Sequence, residues 1–363
     1  MATTLPPPFD TYVPGFLIEN RYEVIAILGH GGQGIVFSVF DHRLREESAL
    51  KVLLDVAGAE IWREASLLTK LSGKFLLPVR NADFASGRPF VVTEIARHGT
   101  TSDEMLQDVG VPTARAVQWA LHASRGASRM HDHGLVHNDL KPENLFLNAN
   151  GEALLGDLGF ASELNGSGFA ELRGGTPFTM PPEVATAFLT HLAGGSPGTP
   201  CSVASDVYAL GATLYWLLAG RAPYRGDGTL SDLLTEVAAG PPPSLATIAP
   251  HVPRGICDAV SKAMSRTAVD RYPTAAAFDY ALARVALPNR KWSRRPPHAG
   301  HQTCFEGVKG KSTMAVCASQ LGTNSQLSIA ITHQPSGRQA EPARTATQAQ
   351  LPQRLRAIFR NYK

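Results

Sequence analysis

Hydrophobic and polar residues follow two rhythms along this chain, and the change falls near residue 96. Before it, apolar and β-branched residues come in short runs at 22–28, 35–40, 48–53 and 89–95. Runs of that length bounded by turn residues predict strands. One stretch breaks the series: residues 61, 65, 68 and 71 are apolar, the spacing of one face of a helix. After residue 96 the helical period takes over. Helices are expected over 112–131, with Pro112 near the start, and over 203–219, 229–239, 253–264 and 274–286. Leu145–Leu147 and Ala153–Leu155 flank Asn148-Ala149-Asn150-Gly151, a hairpin turn signal. The pattern predicts an α+β chain: a β-rich first part with one helix, then a mainly helical second part.

Beyond Pro288 the pattern changes again. Residues 288–303 combine prolines with Arg and Lys and are expected to be a basic linker. Ser312–Gln320 and Ser325–His333 alternate like two strands around a turn at Gly322-Thr323-Asn324. Pro352–Tyr362 has the spacing of a short basic amphipathic helix. Residues 304–363 therefore form a small C-terminal module of about 60 residues, and residues 1–20 a Pro-rich lead-in.

Composition sharpens this division. The chain has 363 residues, 44% of them hydrophobic and 18% charged, enough apolar material for a real core. Net charge is only +3, but it is unevenly spread. From Pro288 onward 12 Lys and Arg face 2 acids, which leaves 22 bases and 29 acids before it. An acidic body carries a basic tail. Met1–Asp10 lacks the features of a secretory leader, and no uninterrupted apolar stretch is long enough for a membrane span. The four scattered cysteines suit free thiols, so a cytoplasmic protein is expected.

The chemistry-bearing residues lie in the first two parts. Gly29-His30-Gly31-Gly32-Gln33-Gly34-Ile35-Val36 sits between two expected strands, where small residues let backbone N–H groups close over phosphates. Alone it is equally a Gly-rich hairpin, because no helix follows it. Lys51, on the apolar strand Ala49-Leu50-Lys51-Val52, can reach such phosphates, and Glu64 on the inward face of the 61–71 helix can hold it in place.

His137-Asn138-Asp139-Leu140-Lys141-Pro142-Glu143-Asn144 decides the matter. Asp139 offers a carboxylate to take a hydroxyl proton, Lys141 a cation for the transferring group, and Asn144 a hard oxygen for Mg²⁺. Past the hairpin, Gly156-Asp157-Leu158-Gly159 supplies the second metal ligand, Asp157. Charge neutralisation around a positioned aspartate is what in-line phosphoryl transfer needs.

These segments resemble the protein-kinase family, in particular the eukaryotic-like Ser/Thr kinases of bacteria. His137–Leu147 resembles the catalytic loop, Gly156–Gly159 the metal-binding Asp-Phe-Gly motif, and Gly175–Glu183 the end of the activation segment. Ser205–Gly211 resembles the buried helix under the catalytic loop. Asp270–Pro273 resembles the site whose arginine, here Arg271, pairs with Glu183. Six motifs in order span residues 22–285, about three quarters of the chain. The resemblance implies a bilobal kinase domain over 21–287, with an N-lobe of 21–96 and a C-lobe of 97–287. It implies ATP with Mg²⁺ (or Mn²⁺), and protein substrates with Ser or Thr acceptors. By the same resemblance Val36 and Ala49 roof the adenine, Leu145 lies beneath it, and Leu28 belongs to the nucleotide site. Thr93 stands at the gatekeeper position and Glu94–Ala96 form the hinge. Thr176 hydrogen-bonds near Asp139 and Lys141, as in kinases that act on Ser and Thr, and Glu143 contacts basic residues before the acceptor.

The chain also departs from the pattern. Asn138 replaces the arginine that receives an activation-loop phosphate, so weak dependence on loop phosphorylation is expected, with Arg173 as a substitute cation. Leu158 and Pro181 replace apolar packing residues. The 13-residue spacing from Lys51 to Glu64 is short, and Glu60, one turn earlier, is the fallback partner. Ser162 and Ser167 are candidate autophosphorylation sites.

Two other functions compete. A pseudokinase scaffold signalling through the tail normally lacks one of Lys51, Glu64, Asp139, Lys141, Asn144 and Asp157, and none is lacking. A small-molecule phosphotransferase does not need the peptide platform that Gly175–Glu183 and Arg271 build. The tail itself can dock on the acidic body, bind an acidic protein or nucleic acid, or stay disordered; docking or partner binding ranks first. His298, His301, Cys304 and Cys317 are zinc-ligand types, but their spacing fits no standard finger, so an accidental grouping is preferred and metal binding is assigned to Asn144 and Asp157 alone.

Overall fold

The computed structural model describes residues 9–31, 34–54, 71, 73–322 and 326–363. Its first part is an antiparallel sheet of β1 (Leu17–Ile18), β2 (Tyr22–Gly31), β3 (Gly34–Asp41), β4 (Glu46–Leu53), β5 (Val79–Ala85) and β6 (Arg88–Glu94). Spatial order is β1-β2-β3-β4-β6-β5. Strand alternation sends Ile35, Phe37, Val39, Leu50, Val52, Phe90 and Val92 to one buried face. Val36, Ala49, Lys51 and Thr93 line a cleft on the other side. The lead-in assigned to residues 1–20 is not separate from this lobe over its described part. Phe9, Tyr12 and Ile18 are buried in the lobe core, and Tyr12 stacks on Phe16 with ring centroids 4.6 Å apart. The helix expected over 61–71, with Glu60 and Glu64, lies outside the described residues except for Leu71.

The second part is helical. Thr113–Asp132, Val203–Ala219, Leu230–Ala239, Arg254–Ala263 and Ala275–Ala283 follow the expected helices to within a few residues. The core runs along Val203–Ala219, which is buried nearly all round. A capping box between Ser202 and Ser205 starts this helix and Gly220, at φ 72°, ends it. The helix Pro182–Leu192 was not among those expected. Pro182 occupies its first turn, where a missing N–H costs nothing. Short strands β7 (Leu135–Val136), β8 (Leu145–Leu147), β9 (Ala153–Leu155) and β10 (Ser162–Glu163) shape the floor of the cleft; β8 pairs with β9 and β7 with β10.

The C-terminal part is a folded module larger than 304–363. Its antiparallel sheet runs β11 (Lys291–Arg295), β12 (His301–Lys309), β13 (Ser312–Gln320), β14 (Gln326–Gln334) and β15 (Arg344–Thr347) in order, and the helix Leu351–Asn361 crosses it. Residues 288–303, expected as a linker, thus carry a strand. The basic run hides it: Trp292 is the buried residue of β11 and lies over Gly307, where an added Cβ would come within 2.6 Å of the indole. Trp292, Phe305, Val316, Ile329, Ile331, Ile358 and Phe359 belong to the module's own core. The module docks on the helical lobe. Arg294 donates to the Asp108 carbonyl at 2.8 Å, and the His251 and Phe305 rings lie 5.5 Å apart.

Candidate active site

A cavity of about 540 Å³ opens between the sheet and the helical lobe. Leu28, Gly29, Val36 and Ala49 enclose it from the sheet, and Thr93, Glu94 and Ala96 line the crossing between lobes. Lys51 and Asp157 close its inner end. Two expected contacts are corrected. Leu145 is fully buried in the helical core, and its neighbour Phe146 faces the cleft, as the alternation of a strand requires. Ile35 points into the core on the far side of the sheet from Val36. His30 sits in the β2–β3 hairpin outside the lining, Gly31 ends β2, and Gly32 and Gln33 lie outside the described residues. Gly34 has no room for a side chain: a Cβ would stand 2.3 Å from the Val52 carbonyl oxygen.

The catalytic-loop residues hang from one buried acid. Asp206, on the helix Val203–Ala219, accepts the backbone N–H groups of His137 (2.8 Å) and Asn138 (2.9 Å) and the His131 ring at 2.9 Å. Burial opposes its charge, but these hydrogen bonds and the nearby histidines hold the carboxyl below the usual range. Asn138 has φ 64°, a left-handed conformation that Asn tolerates better than most residues. Its side-chain amide donates to the Phe160 carbonyl (2.9 Å) and Ser162 Oγ (3.3 Å).

Asp139 is 2% exposed. One carboxylate oxygen receives Asn144 Nδ2 and Lys141 Nζ, each at 2.9 Å. The other, Oδ1, is buried without a protein partner. Lys141 Nζ also donates to Thr176 Oγ1 at 2.7 Å. Asn144 spends its amide nitrogen on Asp139, which leaves its oxygen for a cation. Asp157, at φ 54°, meets Lys51 Nζ at 2.5 Å. Burial is the largest influence and works against its ionisation; the charge and hydrogen bond of Lys51, with the nearby His137 and Lys141, together outweigh it and keep the carboxyl below the ordinary range. An anionic carboxylate at the inner end of an apolar cavity, with a neutral amide oxygen free, offers the hard donors Mg²⁺ takes.

Farther out, Arg271 and Glu183 meet through paired contacts of 2.7 Å, as the family resemblance implied. Ser162 is buried and hydrogen-bonded, whereas Ser167 lies on an exposed turn. Sequence reasoning missed Phe146, which a strict period of two through Leu145–Leu147 would have picked out.

Sheet lobe, helical lobe and the cleft between them define a bilobal, kinase-type protein. A protein kinase domain model matches residues 22–254, so the chain belongs to the protein kinase family. It is 33% identical over 290 residues to the DNA damage-responsive serine/threonine-protein kinase RqkA of Deinococcus radiodurans, covering 76% of this chain and 41% of that protein. It is 29% identical over 281 residues to the serine/threonine-protein kinase PknL of Mycobacterium tuberculosis, covering 74% and 67%. A probable serine/threonine-protein kinase PknB of Lactococcus lactis is 26% identical over 267 residues, covering 71% and 41%. The chain spans about two fifths of the length of RqkA and PknB. No helix among the described residues is long and apolar enough to cross a membrane.

Proposed function

We propose that this protein is a serine/threonine protein kinase that transfers the ATP γ-phosphoryl group to hydroxyls of protein substrates. The unpartnered, buried Oδ1 of Asp139, beside the Lys141–Thr176 contact, carries the reading. A buried carboxylate oxygen without a donor is costly unless a substrate group completes it. A substrate hydroxyl placed there gives its proton to Asp139 as it attacks the γ-phosphorus, and the bond to the bridging oxygen breaks to release ADP. Lys141 balances charge on the transferred group, and its bond to Thr176 ties the base to the segment that carries the peptide. Lys51 holds the α- and β-phosphates, with Glu64 as its proposed anchor. Asn144 and Asp157 would hold Mg²⁺, or Mn²⁺, which supplies charge neutralisation between the phosphates.

The adenine would lie between Val36 and Ala49 on one side and Phe146 on the other, with Thr93 at the back and Glu94–Ala96 along its edge. Glu143 keeps a buried, unpaired Oε2 close by, which supports a preference for basic residues before the acceptor. Cytoplasm is the proposed compartment, since it supplies ATP and keeps thiols such as the four free cysteines reduced.

The test is transfer from labelled ATP with Mg²⁺ to the chain itself and to a generic basic protein. Wild type should transfer label, and Asp139→Asn should lower the rate by about 10²–10⁴-fold while still binding Mg·ATP. Absence of transfer by wild type, with Mg·ATP bound, would overturn the proposal in favour of a scaffold.

A further inference from the structure

We infer that the C-terminal module holds a structural zinc ion between His298, His301, Cys304 and Cys317. The ligand atoms of these four residues all lie within 4.8 Å of one another. His298 Nδ1 and His301 Nδ1 are 3.4 Å apart, and each is 3.4 Å from Cys304 Sγ. Cys317 Sγ is 3.8 Å from His298 Nδ1. Zinc–nitrogen and zinc–sulfur bonds of about 2.0 and 2.3 Å at tetrahedral angles set ligand atoms about 3.4–3.8 Å apart. These separations exceed an ordinary hydrogen bond between nitrogens, yet four ligating atoms converge on one point.

The backbone is shaped to bring them there. Cys304 and Cys317 are direct partners in the β12–β13 ladder, so both side chains leave the sheet on the same face. His301 and Cys304 are three apart on one strand, which in a regular strand would put them on opposite faces. A register shift between His301 and Thr303 inserts Gln302 as a bulge and returns His301 to the face of Cys304. His298 arrives from the turn before β12, whose His301 N–H bonds back to the His298 carbonyl at 3.0 Å. Such a bulge is a device for re-aiming a side chain at a site.

Two thiolates with two imidazoles suit zinc, and four protein ligands leave no open position, so the ion is structural rather than catalytic. On binding, the Cys304 and Cys317 thiols each release a proton to solvent, and the bound set is neutral. The ion clamps the β11–β12 connection onto the sheet that docks on the helical lobe. Nothing in this site depends on the kinase reading.

The test uses the full chain purified under reducing conditions, with its zinc measured by mass spectrometry after gel filtration. About one zinc per chain is expected, retained in Asp157→Asn and lost in Cys304→Ser and in Cys317→Ser. Because those serine variants can misfold, wild type stripped of zinc is also titrated with Co²⁺. The visible band of a tetrahedral cobalt thiolate should saturate at about one equivalent and vanish when zinc is added. Zinc should also slow alkylation of Cys304 and Cys317 and leave the buried Cys201 and Cys257 of the helical lobe unaffected. Zinc retained in both serine variants, zinc lost in Asp157→Asn, or no cobalt band would each overturn the proposal. A Cys304–Cys317 disulfide in the reduced preparation would do the same.

Discussion

Arg271 and Glu183, 88 residues apart in sequence, are joined by two parallel hydrogen bonds of 2.7 Å. The arginine side chain has no solvent exposure and the glutamate side chain is one-third exposed. The remaining Arg271 donors go to the carbonyls of Ser265, Ala204 and Arg266. One guanidinium thus ties the end of the Gly175–Glu183 segment to the Val203–Ala219 helix and the 265–271 loop. Removing one side of such a pair strands the other. Arg271→Ala should cost about 3–5 kcal/mol of stability. Glu183→Gln, which leaves the carbonyl contacts in place, should cost about 1–3 kcal/mol. A double-mutant cycle by chemical denaturation checks this. Additive losses would show that the two side chains act separately.

Asn138 stands where the family resemblance places an arginine, and its side-chain amide hydrogen-bonds to the activation segment directly. Its amide already holds the Phe160 carbonyl and Ser162, so the activation segment has an anchor that needs no phosphate. Phosphatase-treated protein should therefore keep its transfer rate. Asn138→Gly, which preserves the positive φ and removes the amide, should lower the rate several-fold. Rate assays before and after phosphatase decide it; loss of activity on dephosphorylation would refute the anchor.

Phe146 and Leu145 are adjacent on β8 but face different surroundings, and their substitutions should separate cleanly. Phe146→Ala should raise KM for ATP with little change in melting temperature, because its ring lines the cleft. Leu145→Ala leaves a void in the helical core and should destabilise by about 2–5 kcal/mol, with ATP binding retained in the folded fraction. Nucleotide titration and thermal unfolding of both variants measure the two effects.

His251 ties stability to pH at the docking surface of the module. Burial, and then the neighbouring Arg294 charge, push its pKa down to about 3 from 6.5. Between those values the unfolded chain binds a proton that the folded chain refuses, so stability falls as pH falls below 6.5. From pH 6.5 to 5 the loss from this group should approach about 2 kcal/mol. His251→Asn should flatten that part of the profile, measured by denaturation at fixed pH. An unchanged slope would show that His251 titrates normally.

The candidate catalytic residues stood out in the sequence because their motifs are local. Asp139, Lys141 and Asn144 lie within six residues, and Asp157 follows one hairpin later. The helix Val203–Ala219 was legible because its apolar character is continuous. Leu145 was misassigned for want of its strand's pleat, and β11 was missed because KWSRR shows only one apolar residue. The Pro182–Leu192 helix was not among those expected, and proline at a first turn and proline as a breaker look alike in a sequence.

The sequence alone determined the long helices and most strands of the first lobe, the kinase motifs and the charge division, since each depends on residue type and spacing within a few turns of chain. Tertiary structure decided which face of β8 meets the cleft and that Asp206 holds the catalytic loop from 67 residues beyond Asp139. It also decided that two histidines and two cysteines with no recognisable spacing converge on one point. Those outcomes depend on strand pairing, on a one-residue bulge and on burial of a charged side chain. Each is set by contacts between distant segments, and no local pattern encodes them.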